Sequence, residues 1–174
     1  SGATLDWTGQ ATWSWERSGA PVPANADGSM FNGYLDTTGN DGNHTFTVAN
    51  VPFAVYDVIV YVDGEFNLTP GRPLRANINP GGSGDNPATD VWVSDTLNWN
   101  GTYTQGTGTD LASATEGANY VRFSGITQDN FGIFVEAETF RAAINGFQIV
   151  EVPEPGTGLL ALLGQIRIVV LAAL

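Results

Sequence analysis

Trp92, Trp99 and Tyr103 flank a stretch rich in Asn, Asp, Gly and Thr, a combination suited to reading sugars. Ring C–H faces of a sugar stack on indole or phenol, and amides and carboxylates bond its hydroxyls. These three residues are the candidate carbohydrate-binding platform. The alternative is that the tryptophans plug the ends of a hydrophobic core. Trp13 and Trp15 alternate around Ser14, so a strand would project both from one face, and they are open to the same alternative. Glu136 and Glu138 are also two apart on a predicted strand. Glycoside hydrolysis needs two acids about 5–10 Å apart across a cleft, but the wet side of a sheet accounts for this pair better. The only histidine is His44, so a Ser-His-Asp triad would have to be built on it. Its setting, Asn40-Asp41-Gly42-Asn43-His44-Thr45, reads as a solvated turn, and no catalytic residue is assigned. Calcium takes oxygen ligands from turns and is the one cofactor the sequence admits. Asp27, Asn40, Asp41 and Asn43 are the candidate ligands, with Asn25, Asp63 and Glu65 as further oxygen donors. The same residue types also build turns without any metal.

Composition narrows the partners. The chain has 174 residues, 42% of them hydrophobic, and 18 acids against 6 bases for a net charge of −12. That length fits one domain with a real core and argues against disorder. All six bases are arginine, and lysine is absent. A field of this sign repels phosphate, which excludes nucleic acid and leaves neutral molecules, divalent metals or cationic surfaces. With no cysteine, disulfides, zinc thiolates and thiol catalysis are excluded. The chain opens on Ser1 rather than methionine, and the expectation is that a leader has been removed.

The elements that must position these residues read as β throughout. Strands are predicted around 3–8, 11–17, 30–36, 44–49, 54–63, 72–78, 90–94, 119–126, 131–138 and 143–152, bounded by turns such as Asp27-Gly28, Asp41-Gly42, Asp63-Gly64 and Asn145-Gly146. No window before residue 158 sustains helical spacing. Tyr56, Val58, Val60 and Val62 fall on one face of a strand and Ile59 and Tyr61 on the other, which predicts a central strand. Phe46, Val48, Phe123, Ile133, Phe147 and Ile149 add β-branched and aromatic mass at period 2, and two sheets packed face to face would bury it. The expected fold is all-β: a jelly-roll β-sandwich over 1–152, followed by a short hydrophobic C-terminal segment, 153–174. The segment from Asn79 to Gly117 is expected to form loops over one end of the sandwich.

At Val152-Pro153-Glu154-Pro155, followed by Leu159-Leu160-Ala161-Leu162-Leu163-Gly164, the chain resembles the PEP-CTERM sorting signal of bacterial envelope proteins. The resemblance implies export, a transient inner-membrane contact through residues 158–174, recognition by an exosortase, and release to the surface or matrix. A basic cluster normally closes such a signal. Here there is none, and Gln165 and Arg167 interrupt the apolar run. An arginine at mid-bilayer depth costs at least about 2.5 kcal/mol, so the segment is marginal as a stable anchor. The body resembles a module found ahead of such signals through Ser29 to Asp36, Val55 to Tyr61, Asn119 to Gly125 and Ala143 to Ile149. Such jelly rolls are similar to galactose-binding-like and carbohydrate-binding modules. Three functional readings follow. The leading one is a non-enzymatic exported surface or matrix protein with a structural or adhesive role. The others are a polysaccharide-binding module and a subunit of a filament or envelope assembly, self-associating through the C-terminal segment.

Overall fold

In the computed structural model, residues 2–18, 22, 24–37, 42–64, 71–96, 98–138, 141–153 and 168–171 are described. The chain forms β1 (Thr4–Thr8), β2 (Ala11–Ser14), α1 (Trp15–Ser18), α2 (Ala26–Asn32), β3 (Gly33–Asp36), β4 (Asn43–Ala49), β5 (Tyr56–Tyr61), β6 (Arg72–Pro80) and β7 (Val91–Asp95). It continues with β8 (Thr115–Glu116), β9 (Tyr120–Ile126), β10 (Phe131–Ala137), β11 (Ala143–Ile144), β12 (Gly146–Glu151) and β13 (Ile168–Leu171). A 6-stranded sheet runs β1-β4-β10-β6-β7-β8, a 4-stranded sheet runs β13-β12-β5-β9, and a 3-stranded sheet runs β11-β3-β2. Every strand ladder is antiparallel except β7 with β8. The fold is the expected jelly-roll sandwich.

Strand alternation builds the core. Phe46 and Val48 of β4, Leu74, Ala76 and Ile78 of β6, and Ile133 and Val135 of β10 point inward from the larger sheet. They meet Val58 and Val60 of β5, Val121 and Phe123 of β9, and Phe147 and Ile149 of β12. Phe46 and Phe147 make an edge-to-face contact at 5.8 Å across the gap between the sheets, a geometry that aromatic pairs favour. The other face of β5 is apolar too, as its sequence predicts. Ile59 and Tyr61 lie in a second cluster with Trp15, Phe31, Tyr34, Trp99 and Ala143. The small sheet serves both clusters by alternation: Leu35 and Ile144 join the main core, while Tyr34 and Ala143 join the second.

Three local expectations are corrected. The predicted strands 11–17 and 30–36 each turn out half helical, because Trp15 opens α1 and residues 26–32 form α2. The Oδ1 of Asn25 accepts the Gly28 N–H at 2.7 Å and caps α2, the usual service of an Asn side chain at a helix start. Trp13 and Trp15 are therefore not neighbours on one strand. Trp15 is fully buried in the second cluster, and Trp13 packs partly buried against it. β7 falls where the strand at 90–94 is predicted, but residues 81–90 of the segment expected to loop over one end fold instead against the outer face of the larger sheet. There Arg75 binds Asp85, Asp90 and Glu136 at 2.8, 3.1 and 2.7 Å and sits over the Phe134 ring. Glu136 is thus committed to an ion pair, and Glu138 is exposed.

His44 is the third correction. It does not sit in a solvated turn; it is fully buried on β4, with Nε2 3.4 Å from the Ala142 carbonyl oxygen. Burial pushes its pKa down to about 4. The unfolded imidazole binds a proton near pH 6.5 and the folded one does not. Its contribution to stability is therefore full above about pH 6.5, falls as pH drops toward 4, and levels off below. The expected loss is about 3 kcal/mol over that window. Denaturant melts of the native chain and of His44→Gln should diverge there. Parallel pH curves would show that the ring is not held neutral.

At the carboxyl end, the Val152 N–H donates to the Val55 carbonyl at 2.9 Å. Farther on, β13 pairs with β12 in the register Phe147 to Leu171 and Val150 to Ile168. Glu154 and Pro155 of the sorting-signal resemblance lie outside the described residues, as do Asn40, Asp41 and Glu65. Among the described residues no helix is long and apolar enough to cross a membrane.

Candidate functional site

The loop after β7 is folded back on the start of β9 by paired backbone and amide bonds. Thr104 N–H donates to Asn119 Oδ1 at 3.1 Å, and Asn119 Nδ2 donates to the Thr102 carbonyl at 2.8 Å. The Asn119 N–H reaches the Thr104 carbonyl at 3.0 Å, and the Gly106 N–H reaches the Tyr120 carbonyl at 2.7 Å. Asn100 Oδ1 accepts the Thr102 N–H at 3.1 Å. Glycine is required at two points here. A Cβ on Gly106 would stand 2.2 Å from Val93 Cγ1, and Gly117 has φ +68 where the chain leaves β8.

This folding presents an aromatic stack. Trp99 lies on Phe31 with ring centroids 5.0 Å apart and planes 21° apart. It is only 4% exposed, while Tyr103 is 43% exposed. The Tyr103 ring rests against Trp99 at 5.7 Å, Phe31 at 6.0 Å, Tyr61 at 6.2 Å and Tyr120 at 6.2 Å. A tyrosine packed on four rings keeps its orientation without being buried. Its hydroxyl faces Asp27 of α2; partial burial and that carboxylate push the phenol up to about 12. Beside the stack is a cleft of about 240 Å³ lined by Asn98, Trp99, Asn100, Thr102, Thr104, Glu116, Gly117 and Asn119. Amide, hydroxyl and carboxylate groups thus converge next to ring faces, which is how a saccharide is held.

Of the three residues predicted to form the platform, the structure brings Trp99 and Tyr103 together. Trp92 is half-buried on β7. Val91 and Val93 on either side of it pack toward the main core, so alternation turns Trp92 to the outer face of the larger sheet, opposite Arg75 in register. Its backbone N–H donates to the Gly108 carbonyl at 2.8 Å. Asp27 and Asn43 of the candidate metal ligands lie on α2 and β4. Among the described residues no group of three or more His, Asp or Glu side chains is placed to hold a metal. Sequence reasoning missed the supporting rings Phe31, Tyr61 and Tyr120. The period-2 placement of Ile59 and Tyr61 on the second face of β5 was the signal that something apolar had to cover them.

A second feature lies where Trp99 meets the sandwich. Asp63 and Asp95 are 1% and 4% exposed. The Gly64 N–H donates to Asp95 Oδ2 at 2.9 Å, and the Asp63 N–H to Asn145 Oδ1 at 2.8 Å. Among the described residues neither Asp63 carboxylate oxygen has a side-chain hydrogen-bond partner, and the Trp99 backbone amide is the group that stabilises its charge. Burial, and then the charge of Asp95, push the Asp63 carboxyl up to about 9. Asp57 and Asp36 are buried acids with arginine partners. Asp57 binds Arg122 and the Gly125 N–H, and Asp36 binds Arg141 at 2.6 Å.

No family model matches the chain, and no curated protein matches it. Among solved structures it is similar to the CBM36-1 domain of a multidomain xylanase from the hindgut metagenome of Trinervitermes trinervoides. The TM-score is 0.42 at 10% identity, and the match covers 87% of this chain and 99% of that domain.

Proposed function

We propose that this protein binds a neutral polysaccharide, with Tyr103 as the stacking surface and the adjoining cleft as the source of hydroxyl contacts. The observation that carries the reading is the Tyr103 ring, exposed yet packed on four other rings beside a polar cleft. Glu116 in the cleft, Asp27 at the phenol and a net charge of −12 disfavour polyanionic glycans. No acid pair facing across this cleft is needed for binding, and the reading is non-catalytic. Titration against a panel of soluble neutral polysaccharides tests it. Tyr103→Ala should bind about tenfold more weakly, equivalent to about 1.4 kcal/mol, while remaining folded. Undiminished binding by this variant would overturn the reading.

The reading extends to an exported protein processed at its C-terminal segment. It rests on the acidic, lysine-free, cysteine-free composition and on Val152-Pro153-Glu154-Pro155 ahead of an apolar run. The intact mass of the protein taken from its host should end near Pro155. Retention of the full apolar segment would remove the processing step.

A further inference from the structure

The surface at Tyr103 continues beyond its own ring. Tyr103 rests against Tyr120 at 6.2 Å, and Tyr120 opens β9. Alternation along β9 sends Val121 and Phe123 into the main core and leaves Arg122 on the outer face, about 6.6 Å beyond Tyr120. Register then carries the row across the four-stranded sheet: Arg122 faces Ile59 of β5, and Ile59 faces Gln148 of β12. The second cluster covers Tyr61, which is 8% exposed, but covers this row only in part, since Arg122 is exposed and Ile59 and Gln148 are half-buried. We infer that Arg122, Ile59 and Gln148 form a second sugar subsite, continuous with Tyr103 across Tyr120, so that the protein holds a run of sugars along a neutral polysaccharide. The inference rests on the reading given under Proposed function and specifies its ligand.

The three side chains supply what a sugar contacts. Ile59 gives an apolar floor for ring C–H groups. Gln148 is oriented by the Tyr61 hydroxyl, which donates to its Oε1 at 3.1 Å, and its Nε2 is left to donate to a sugar oxygen. Arg122 is held by Asp57, with Nε 3.0 Å from Oδ2, while about half of its side chain stays open to solvent. Donors fixed in this way lose little side-chain freedom on binding. The Asp57 carboxylate also neutralises the guanidinium, so the row keeps the preference for uncharged glycans. The cleft beside Tyr103, at about 240 Å³, falls below the roughly 300–1,000 Å³ of pockets that enclose a whole ligand. An oligosaccharide seated there has to run on over the neighbouring surface.

Calorimetric titration of the full chain with cello-, xylo- and manno-oligosaccharides, from disaccharide to hexasaccharide, tests it. In the series that binds, affinity should rise about tenfold or more from the shortest to the longest. Gln148→Glu keeps the acceptor for Tyr61 and removes the donor. It should weaken the hexasaccharide about fivefold and leave the disaccharide unchanged, whereas Tyr103→Ala weakens both. Arg122→Lys keeps a cation beside Asp57 without the guanidinium fork and should show the same length-dependent loss. Equal affinity at every length would overturn the second subsite and leave the Tyr103 reading standing. So would two variants that bind the hexasaccharide like the parent, or that lose equally on disaccharide and hexasaccharide. No binding at any length would remove that reading and this inference with it.

Discussion

Replacing Trp99 by alanine is expected to destabilise the protein by about 3–5 kcal/mol and to remove glycan binding with it. Trp99 is 4% exposed, stacks on Phe31 at 5.0 Å and supports Tyr103 at 5.7 Å. Its loss would leave a cavity between α2 and the outer face of β5 and let the Tyr103 ring fall into it. For a domain of this size the stability loss corresponds to about 10 °C or more in melting temperature. Calorimetry and polysaccharide titration read the two effects separately. Trp99→Phe should recover much of the stability. A Trp99→Ala variant that melts within about 2 °C of the parent would mean that the second cluster does not hold the loop.

Asn145→Ala is expected to have an effect of similar size for a different reason. Asn145 is 3% exposed and is a three-way tie. Its Oδ1 accepts the Asp63 N–H at 2.8 Å, and its Nδ2 donates to the Phe31 carbonyl at 3.1 Å and the Gly33 carbonyl at 3.3 Å. Alanine would strand one buried donor and weaken two acceptors at the junction of α2, β3 and β5. Each stranded group costs about 1–3 kcal/mol, for a total of about 3 kcal/mol or more. Urea titration measures it. Hydrogen exchange at Asp63 should accelerate before exchange in the core of β5. A loss below about 1 kcal/mol would mean that water replaces the amide freely.

Much of the sandwich was legible because its strands obey one simple rule. From β4 through β7 and from β9 through β12, alternating apolar residues with glycine-marked turns leave few other solutions. The two-faced apolar pattern of β5 even announced that a second layer must cover Ile59 and Tyr61. The identity of that layer was hidden. α1 and α2 span four and seven residues, too few for a helical period to emerge, and Trp13-Ser14-Trp15 imitates a strand. His44 misled because residues 40–43 are turn formers, whereas the strand they introduce carries the ring inward. Asp63 was read with Gly64 as a turn signal and as a further oxygen donor for calcium. Only the fold shows that it lies almost fully buried, close to Asp95. In the candidate site, Trp99 and Tyr103 were found by residue type, but type alone could not reveal that Trp99 is the support and Tyr103 the surface. Trp92 shares their chemistry and sits on the opposite sheet because strand parity, invisible without the register, turns it outward.

The order of strands in the larger sheet has a consequence for how the molecule is made. β10 occupies the middle of that sheet, hydrogen-bonded to β4 and β6 on either side, and β12 flanks β5 in the other. A growing polypeptide that stops short of residue 137 therefore holds the outer parts of a layer with its centre missing. Neither layer can close during synthesis until β10 and β12 have left the ribosome, and closure then draws together segments far apart in the chain, which is slow. Until then the polypeptide stays open and threadable.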